Sequence, residues 1–305
     1  MENSHRLVVL DGSNFFWRSF HGNNEHHLEY SGKPTWAIHG TIMSMAYAIR
    51  DLRPSHVLVI FDWGSSSFRK DIYNEYKAGR VVSQDGDIEV ASNQMAATQE
   101  LLALFNVPIY KEHHVEADDV VAKVCEKFSF INEIFLISGD KDWRQLVDDN
   151  ITVIHPSLGQ KEKQIWNYQA VIDHYNLPPH RLHELWALSG DKTDNIPGVP
   201  GIGEKRAFKL LSEYLNLQNL LLSDEEKIKN NIAAIQISDR LVSLRPDLSE
   251  FDMTLDELCF KPVNYLDNNK PLRVFLDEYG LKKIKQKWQD GVLWQERGKR
   301  LKDFK

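Results

Sequence analysis

The chain reads as an α/β protein, a mostly parallel central sheet flanked by helices, with a helical region after it. Short continuous apolar runs rich in β-branched residues, "RLVVL", "HVLVIF", "EIFLIS" and "ITVIHP", recur through the first 155 residues, as expected of strands buried on both faces. Helical periodicity lies between them, over 36–51, 94–106 and "VVAKVCEKF", the alternation that builds an open parallel sheet. Acidic residues gather where strands end or helices begin, and in a parallel sheet the carboxyl ends of the strands share one edge, where ligands bind.

In order, "RLVVLD" ends on Asp11 and "HVLVIFD" on Asp62. "VEADDVVA" carries Glu116, Asp118 and Asp119, "IFLISGDKD" carries Asp140 and Asp142, and "LSGDKTDN" carries Asp191 and Asp194. Between 76 and 98, Gly79 and the Asp-Gly-Asp at 85–87 interrupt periodicity, which predicts a flexible loop beside the sheet edge. From about residue 166 the pattern is helical except for "IPGVPGIGEKRAFKLL". The expected division is an α/β core over 1–165 and a helical region over 166–305.

With 305 residues and 42% hydrophobic content, the chain can bury a sizeable core. It has no apolar run of the roughly 18 to 20 residues that cross a bilayer, and "MENSHRLVVLDG" lacks a secretory h-region. A cytoplasmic protein without a membrane partner is expected. Cys125 and Cys259 are isolated, fit neither a disulfide framework nor a zinc site, and read as buried thiols. The net charge of −7 argues against phosphate binding until the nine clustered carboxylates are set aside, which leaves +2. Residues 281–305 hold nine Lys or Arg against three Asp or Glu, with Trp288, Trp294 and Phe304 between them. This tail reads equally as a nucleic-acid contact or as a solvated basic helix with an apolar packing face.

A lone Asp-x-Asp is commonly a solvated loop or a helix cap, and Asp118 and Asp119 could simply complement the N-terminal end of their helix. Nine carboxylates sharing strand ends are another matter, because like charges raise one another's pKa values unless cations intervene. All-oxygen donors suit a hard divalent ion, magnesium or manganese. Gly198, Gly201 and Gly203 in "GVPGIGEKRA" allow a tight turn between helices, with Lys205 and Arg206 opening the second. The motif resembles a helix-hairpin-helix, at about 196–212, whose exposed N–H groups form a phosphate site that does not read sequence. "SSSFRKDIYNEYKAGR" supplies Arg69, Lys70, Tyr76, Lys77 and Arg80, cations and a ring suited to a phosphate and an unstacked base, or to a solvated amphipathic segment. The pairs His26/His27 and His113/His114 have no metal-ligand spacing and read as surface or substrate-edge residues.

Together, "FDWGSSSFRKDIYNEYKAGR", "VEADDVVA", "SGDKDWRQLV" and "LSGDKTDNIPGVPGIGEKRAFKLL" resemble the 5′-nuclease family: flap endonucleases, bacteriophage 5′-exonucleases and the N-terminal nuclease domain of bacterial DNA polymerase I. The likeness covers almost the whole chain and implies a PIN-like core. It implies that Asp11, Asp62, Asp118 and Asp119 serve one metal, with Glu116 in support, and that Asp140, Asp142, Asp191 and Asp194 serve another, Asp118 bridging. By the same likeness Lys77 and Arg69 stabilise charge on the scissile phosphate and Tyr76 stacks on the terminal base. Residues 78–98 become an arch over the site, with fewer basic residues than in long-arched phage members. Arg80, the glycine turn, Lys205 and Arg206 hold DNA, with a potassium ion at the turn. The implied activity is two-metal hydrolysis near 5′ ends, flaps and nicks of DNA or RNA–DNA hybrids by a monomer working with a polymerase and single-strand-binding protein. No polymerase segment follows residue 305, so a free-standing nuclease or an excised domain is expected. Three other readings fit the residues less well. A silent junction-binding module would not need the nine carboxylates, a phosphatase using Asp11 would want an acid where Ser13 stands, and a PIN-type RNase would not need "GVPGIGEK".

Overall fold

The computed structural model describes residues 5–22, 28–64, 66–79, 85–156 and 164–295. Strand β1 (Arg6–Asp11) leads into α1 (Gly12–Gly22), a small hairpin β2 (Glu29–Tyr30) and β3 (Lys33–Pro34), and α2 (Trp36–Leu52). Then come β4 (His56–Ile60), α3 (Ser67–Ile72), α4 (Asp85–Leu104), β5 (Ile109–Tyr110), α5 (Ala117–Lys127) and β6 (Glu133–Ile137). After β7 (Ile151–Ile154) and β8 (Ile165–Trp166) the chain is helical: α6 (Tyr168–Tyr175), α7 (Leu182–Ser189), α8 (Glu204–Tyr214), α9 (Leu217–Leu221), α10 (Glu226–Lys229), α11 (Ile232–Val242), α12 (Lys270–Glu278) and α13 (Lys282–Gln289).

The main sheet has the order β5-β4-β1-β6-β7-β8, and only the β7–β8 pairing is antiparallel. All four expected strands are present. The two-residue strands β5 and β8 lie at the edges and were too short to show a pattern. β1 pairs in parallel with β4 on one side and β6 on the other, so the winding direction changes there, the switch point at which open sheets of this kind bind ligands. Alternate residues supply the two faces. Leu7, Val9, Leu58, Ile60 and Leu136 pack toward α5, α7, α8 and α11, whereas Val8, Leu10, Val57, Val59 and Ile137 pack toward α2, α4, α12 and α13.

The flexible loop expected over 76–98 is helical from Asp85 onward, so the helix expected over 94–106 starts nine residues earlier. Ala91, buried in helical register with Gln94, Ala97 and Thr98, is small, so hydrophobic periodicity did not extend the helix expected over 94–106 back to it. Gln94 Oε1 accepts from the N–H of Ala37, pinning α4 to α2. One core joins Leu7 and Leu136 to Leu188, Leu211 and Leu241. The last helices return to the sheet's other face, where Ile284, Trp288 and Trp294 are buried. For the described part of the basic tail, the packing-helix reading therefore holds. Cys125 is buried as expected, but Cys259 is only partly so. Among the described residues no helix is long and apolar enough to cross a membrane.

Candidate active site

Asp11 is the last residue of β1, Asp62 follows β4 by two residues, and Ser138–Gly139–Asp140 leave β6. Three strands that are neighbours in the sheet thus deliver their acids to one edge. Asp118 comes from the first turn of α5, Asp142 opens a short 3-10 turn after β6, and Asp191 and Asp194 lie in the loop after α7. Protein donors orient this group. Asp11 accepts from Ser138 Oγ at 2.6 Å and the N–H of Asn14 at 2.9 Å, Asp62 from the N–H of Ala117 at 3.0 Å, Asp118 from Trp143 Nε1 at 2.6 Å, and Asp140 from the N–H of Asp142 at 2.9 Å.

The electrostatics show that these acids feel one another. Burial, then the charge of Asp62, pushes the Asp11 carboxyl up to about 7, with Asp140 adding to the shift and hydrogen bonds from Ser138 and Asn14 opposing it. Burial, then Asp140, raises Asp118, and burial, then Asp140, raises Asp142, with Asp194 and Asp191 contributing. Asp140 enters all three and is the electrostatic centre. Among the described residues no three acid, histidine or cysteine side chains are already drawn together tightly enough to hold an ion. The donor set nevertheless fits a hard divalent cation: all oxygen, anionic, partly buried and mutually repelling.

Three of the expected metal ligands, Asp119, Asp191 and Glu116, are held by cations of the protein itself. Asp119 is wholly buried and accepts from Arg69 Nη1 at 2.5 Å and Nη2 at 2.9 Å, and from the N–H of Arg245 at 2.8 Å. Arg69, 2% exposed, also donates to the carbonyls of Leu241 and Ser243. It rivets α3 to α5 and to the end of α11, with its guanidinium turned into the protein. Asp191 is bound by Lys141 Nζ at 2.6 Å and by the N–H groups of Thr193 and Asp194. Burial would raise its carboxyl, but Lys141 holds it below the usual range.

Tyr76 is corrected as well. It is buried in the core, with its hydroxyl donating to Glu116 at 3.2 Å, so its ring is not open to a terminal base. Glu116 also binds Lys77 Nζ at 2.8 Å and Arg69 at 3.2 Å. Burial pulls the Glu116 carboxyl up, yet Lys77 and then Arg69 outweigh it and the net shift is downward. Lys77 adopts a left-handed conformation, φ 58°, fixed by its N–H donating to the carbonyl of Asp194 at 2.9 Å, while Asn195 Nδ2 donates to the carbonyl of Glu75 at 2.8 Å. These bonds clip the Lys77 turn to the Asp191–Asp194 loop and place Nζ 3.9 Å from Asp194. The sequence reading missed Lys141, although its place between the acids of "GDKD" was a signal. It also missed Ser138 and Trp143, whose roles have no sequence mark.

The glycine turn joins α7 to α8 as a helical hairpin. Gly198 has φ 58°, and a Cβ there would stand 2.3 Å from the backbone nitrogen of Gly190. Its close approach is to its own chain. Gly201, φ 76°, and Gly203, at the N-cap of α8 with φ −93°, are exposed, as are Lys205 and Arg206. Lys227 Nζ lies 3.2 Å from where a Gly201 Cβ would stand, bringing an unexpected cation to the same surface. Arg80, His26 and His27 lie outside the described residues.

A family model described as 5′-3′ exonuclease, N-terminal resolvase-like domain, matches residues 6–176, and one described as 5′-3′ exonuclease, C-terminal SAM fold, matches residues 177–266. DNA polymerase I of Rhizobium leguminosarum is 34% identical over 280 residues, 87% of this chain but 27% of that protein. The chain thus spans about a quarter of that relative's length. A 5′-3′ exonuclease of Aquifex aeolicus is 34% identical over 284 residues, 91% of this chain and 93% of that one. Among solved structures, the T5 D15 protein co-crystallised with metal ions is similar with a TM-score of 0.64 and 20% identity, covering 92% of this chain and 99% of that one. A variant of the bacteriophage T5 D15 flap endonuclease in complex with DNA and metal ions is similar at 0.63 and 22%, covering 92% and 98%.

Proposed function

The chain belongs to the 5′-3′ exonuclease family, and on that premise we propose that it is a structure-selective 5′-nuclease hydrolysing phosphodiesters at 5′ ends, flaps and nicks of duplex DNA and RNA–DNA hybrids. One observation carries the reading: Asp11, Asp62, Asp118, Asp140, Asp142 and Asp194 converge on the sheet edge where Lys77 is anchored. These six carboxylates would hold two divalent cations, magnesium with manganese as a substitute. Asp119 and Asp191 support the site by holding Arg69 and Lys141. When divalent cations are bound, the chemistry available there is charge neutralisation at the phosphodiester and a lowered pKa for the attacking water.

The chain's own groups do the rest. Lys77 Nζ, held by Glu116 and Asp194, offers positive charge where negative charge grows during displacement, and Glu116 positions it. The α7–α8 hairpin grips the duplex through its phosphates, with Gly201, Gly203, Lys205, Arg206 and Lys227 on that surface and a potassium ion as its further ligand. Such contacts recognise a duplex rather than a sequence. Work in the cytoplasm beside a DNA polymerase and single-strand-binding protein completes the proposal.

End-labelled flap, nicked and single-stranded substrates in magnesium test it. Cleavage close to the flap junction, releasing the 5′ strand and leaving a 5′-phosphate, is the expected result. Tight junction binding without cleavage would replace the enzyme by a binding module, and cutting of single-stranded RNA regardless of its ends would replace it by an RNase.

The hairpin has its own prediction. Lys205→Ala, with binding measured in EDTA, should weaken unrelated duplexes alike and reduce the slope of log K against log salt by about one phosphate's worth. A loss that tracked base sequence would remove the hairpin from duplex binding.

A further inference from the structure

With Tyr76 in the core, Trp63 is an exposed aromatic ring next to the acidic residues in sequence. It follows Asp62 directly, at the carboxyl end of β4, and remains 48% exposed. Its backbone is fixed, because its carbonyl accepts from the N–H of His114 at 3.2 Å and it bridges in parallel to His113. Its ring is fixed too. The His113 ring meets it edge-on at 4.9 Å, and Lys111 Nζ lies 5.3 Å from its centre. Gly64, at φ 87°, supplies the left-handed backbone that turns the chain directly after the indole. Lys111 in turn donates to Gln99 of α4 at 2.9 Å, a neutral partner that leaves its charge intact.

An indole held by its neighbours loses little freedom when it binds, and its exposed surface is apolar area that a flat partner would cover. Every nucleobase offers a π face, so stacking tolerates any sequence, and a nearby ammonium attracts the attached phosphate. We propose that Trp63, with Lys111 beside it, is a stacking site for one unpaired nucleobase of the strand whose phosphodiester lies at Asp62. This rests on the nuclease reading above and adds to it a single-strand contact on the β4 side of the site, beside α4. The exposed pair His113 and His114 thereby gains a role: His113 braces the ring, and His114 holds its backbone.

The test is binding by fluorescence anisotropy in EDTA, comparing a duplex bearing a single-stranded 5′ flap with the same duplex blunt-ended. Trp63→Ala should weaken the flapped duplex on the order of tenfold and leave the blunt duplex unchanged, while Trp63→Phe keeps most of the affinity. An abasic site moved through the nucleotides near the junction should cost wild-type affinity at one position, and that position should cost nothing further in Trp63→Ala. Unchanged flap affinity in Trp63→Ala, or an equal loss on the blunt duplex, overturns the stacking site. If wild type cuts flaps while Trp63→Ala binds them as tightly, stacking alone fails. If wild type cuts no 5′-ended DNA, the nuclease reading fails and the binding comparison still decides the stacking site.

Discussion

Asp140→Asn is expected to abolish nearly all cleavage, a loss on the order of 10³-fold in single-turnover rate, as follows when several kcal/mol of charge stabilisation is removed, with duplex affinity retained. Asp140 raises the pKa of Asp11, Asp118 and Asp142 alike, so it stands between both halves of the proposed cation site. Asparagine keeps the oxygen that accepts from the N–H of Asp142, which separates loss of charge from loss of fold. The same repulsion makes an opposite prediction for stability. Asp11 is raised to about 7 in the folded protein from about 4 when unfolded, so its contribution in metal-free protein falls as pH rises from about 4 to about 7. Relieving Asp11 of its Asp140 neighbour should flatten that fall and raise the melting temperature in EDTA at pH 8. Near-wild-type turnover in magnesium, or a lower melting temperature, would remove Asp140 from the centre of the site.

Arg69→Ala should destabilise the protein by about 3–5 kcal/mol, the usual result of leaving a buried charge without its partner. Asp119 has no water to turn to, being fully buried and surrounded by α3, α5 and the end of α11. The carbonyls of Leu241 and Ser243 lose a donor as well. The measurement is the urea midpoint and slope in the presence of EDTA, which keeps metal binding out of the comparison. Pairing the change with Asp119→Leu should recover part of the loss, because the stranded charge goes too. An Arg69→Ala protein that unfolds at the wild-type midpoint but cleaves slowly would instead return Arg69 to the scissile phosphate.

The strands and their terminal acids were legible because both are written locally. Four β-branched runs cannot stay in water, and a carboxylate at the end of such a run must emerge at the sheet's edge. The hairpin was legible for a similar reason, since a turn at Gly198 and Gly201 needs residues that tolerate positive φ. Local pattern failed where burial involved small or polar groups. Ahead of the helix expected over 94–106, Ala91 is buried without adding to an apolar stripe, and the Asp-Gly-Asp that reads as a turn forms part of the first turn of α4.

By itself, then, the sequence determined the parallel sheet, the edge to which its acids come and the hairpin beside it, all consequences of short-range chemistry. Tertiary structure decided which way each acid turns. Asp118 and Asp119 are adjacent in sequence, but successive residues on a helix point about 100° apart. One therefore turns to Asp140, and the other into the protein against Arg69. In the same way Tyr76 went to the core and Trp63 to the surface, and Asp191 went to Lys141. The partners of these side chains lie many residues away in sequence, and only packing brings them within reach.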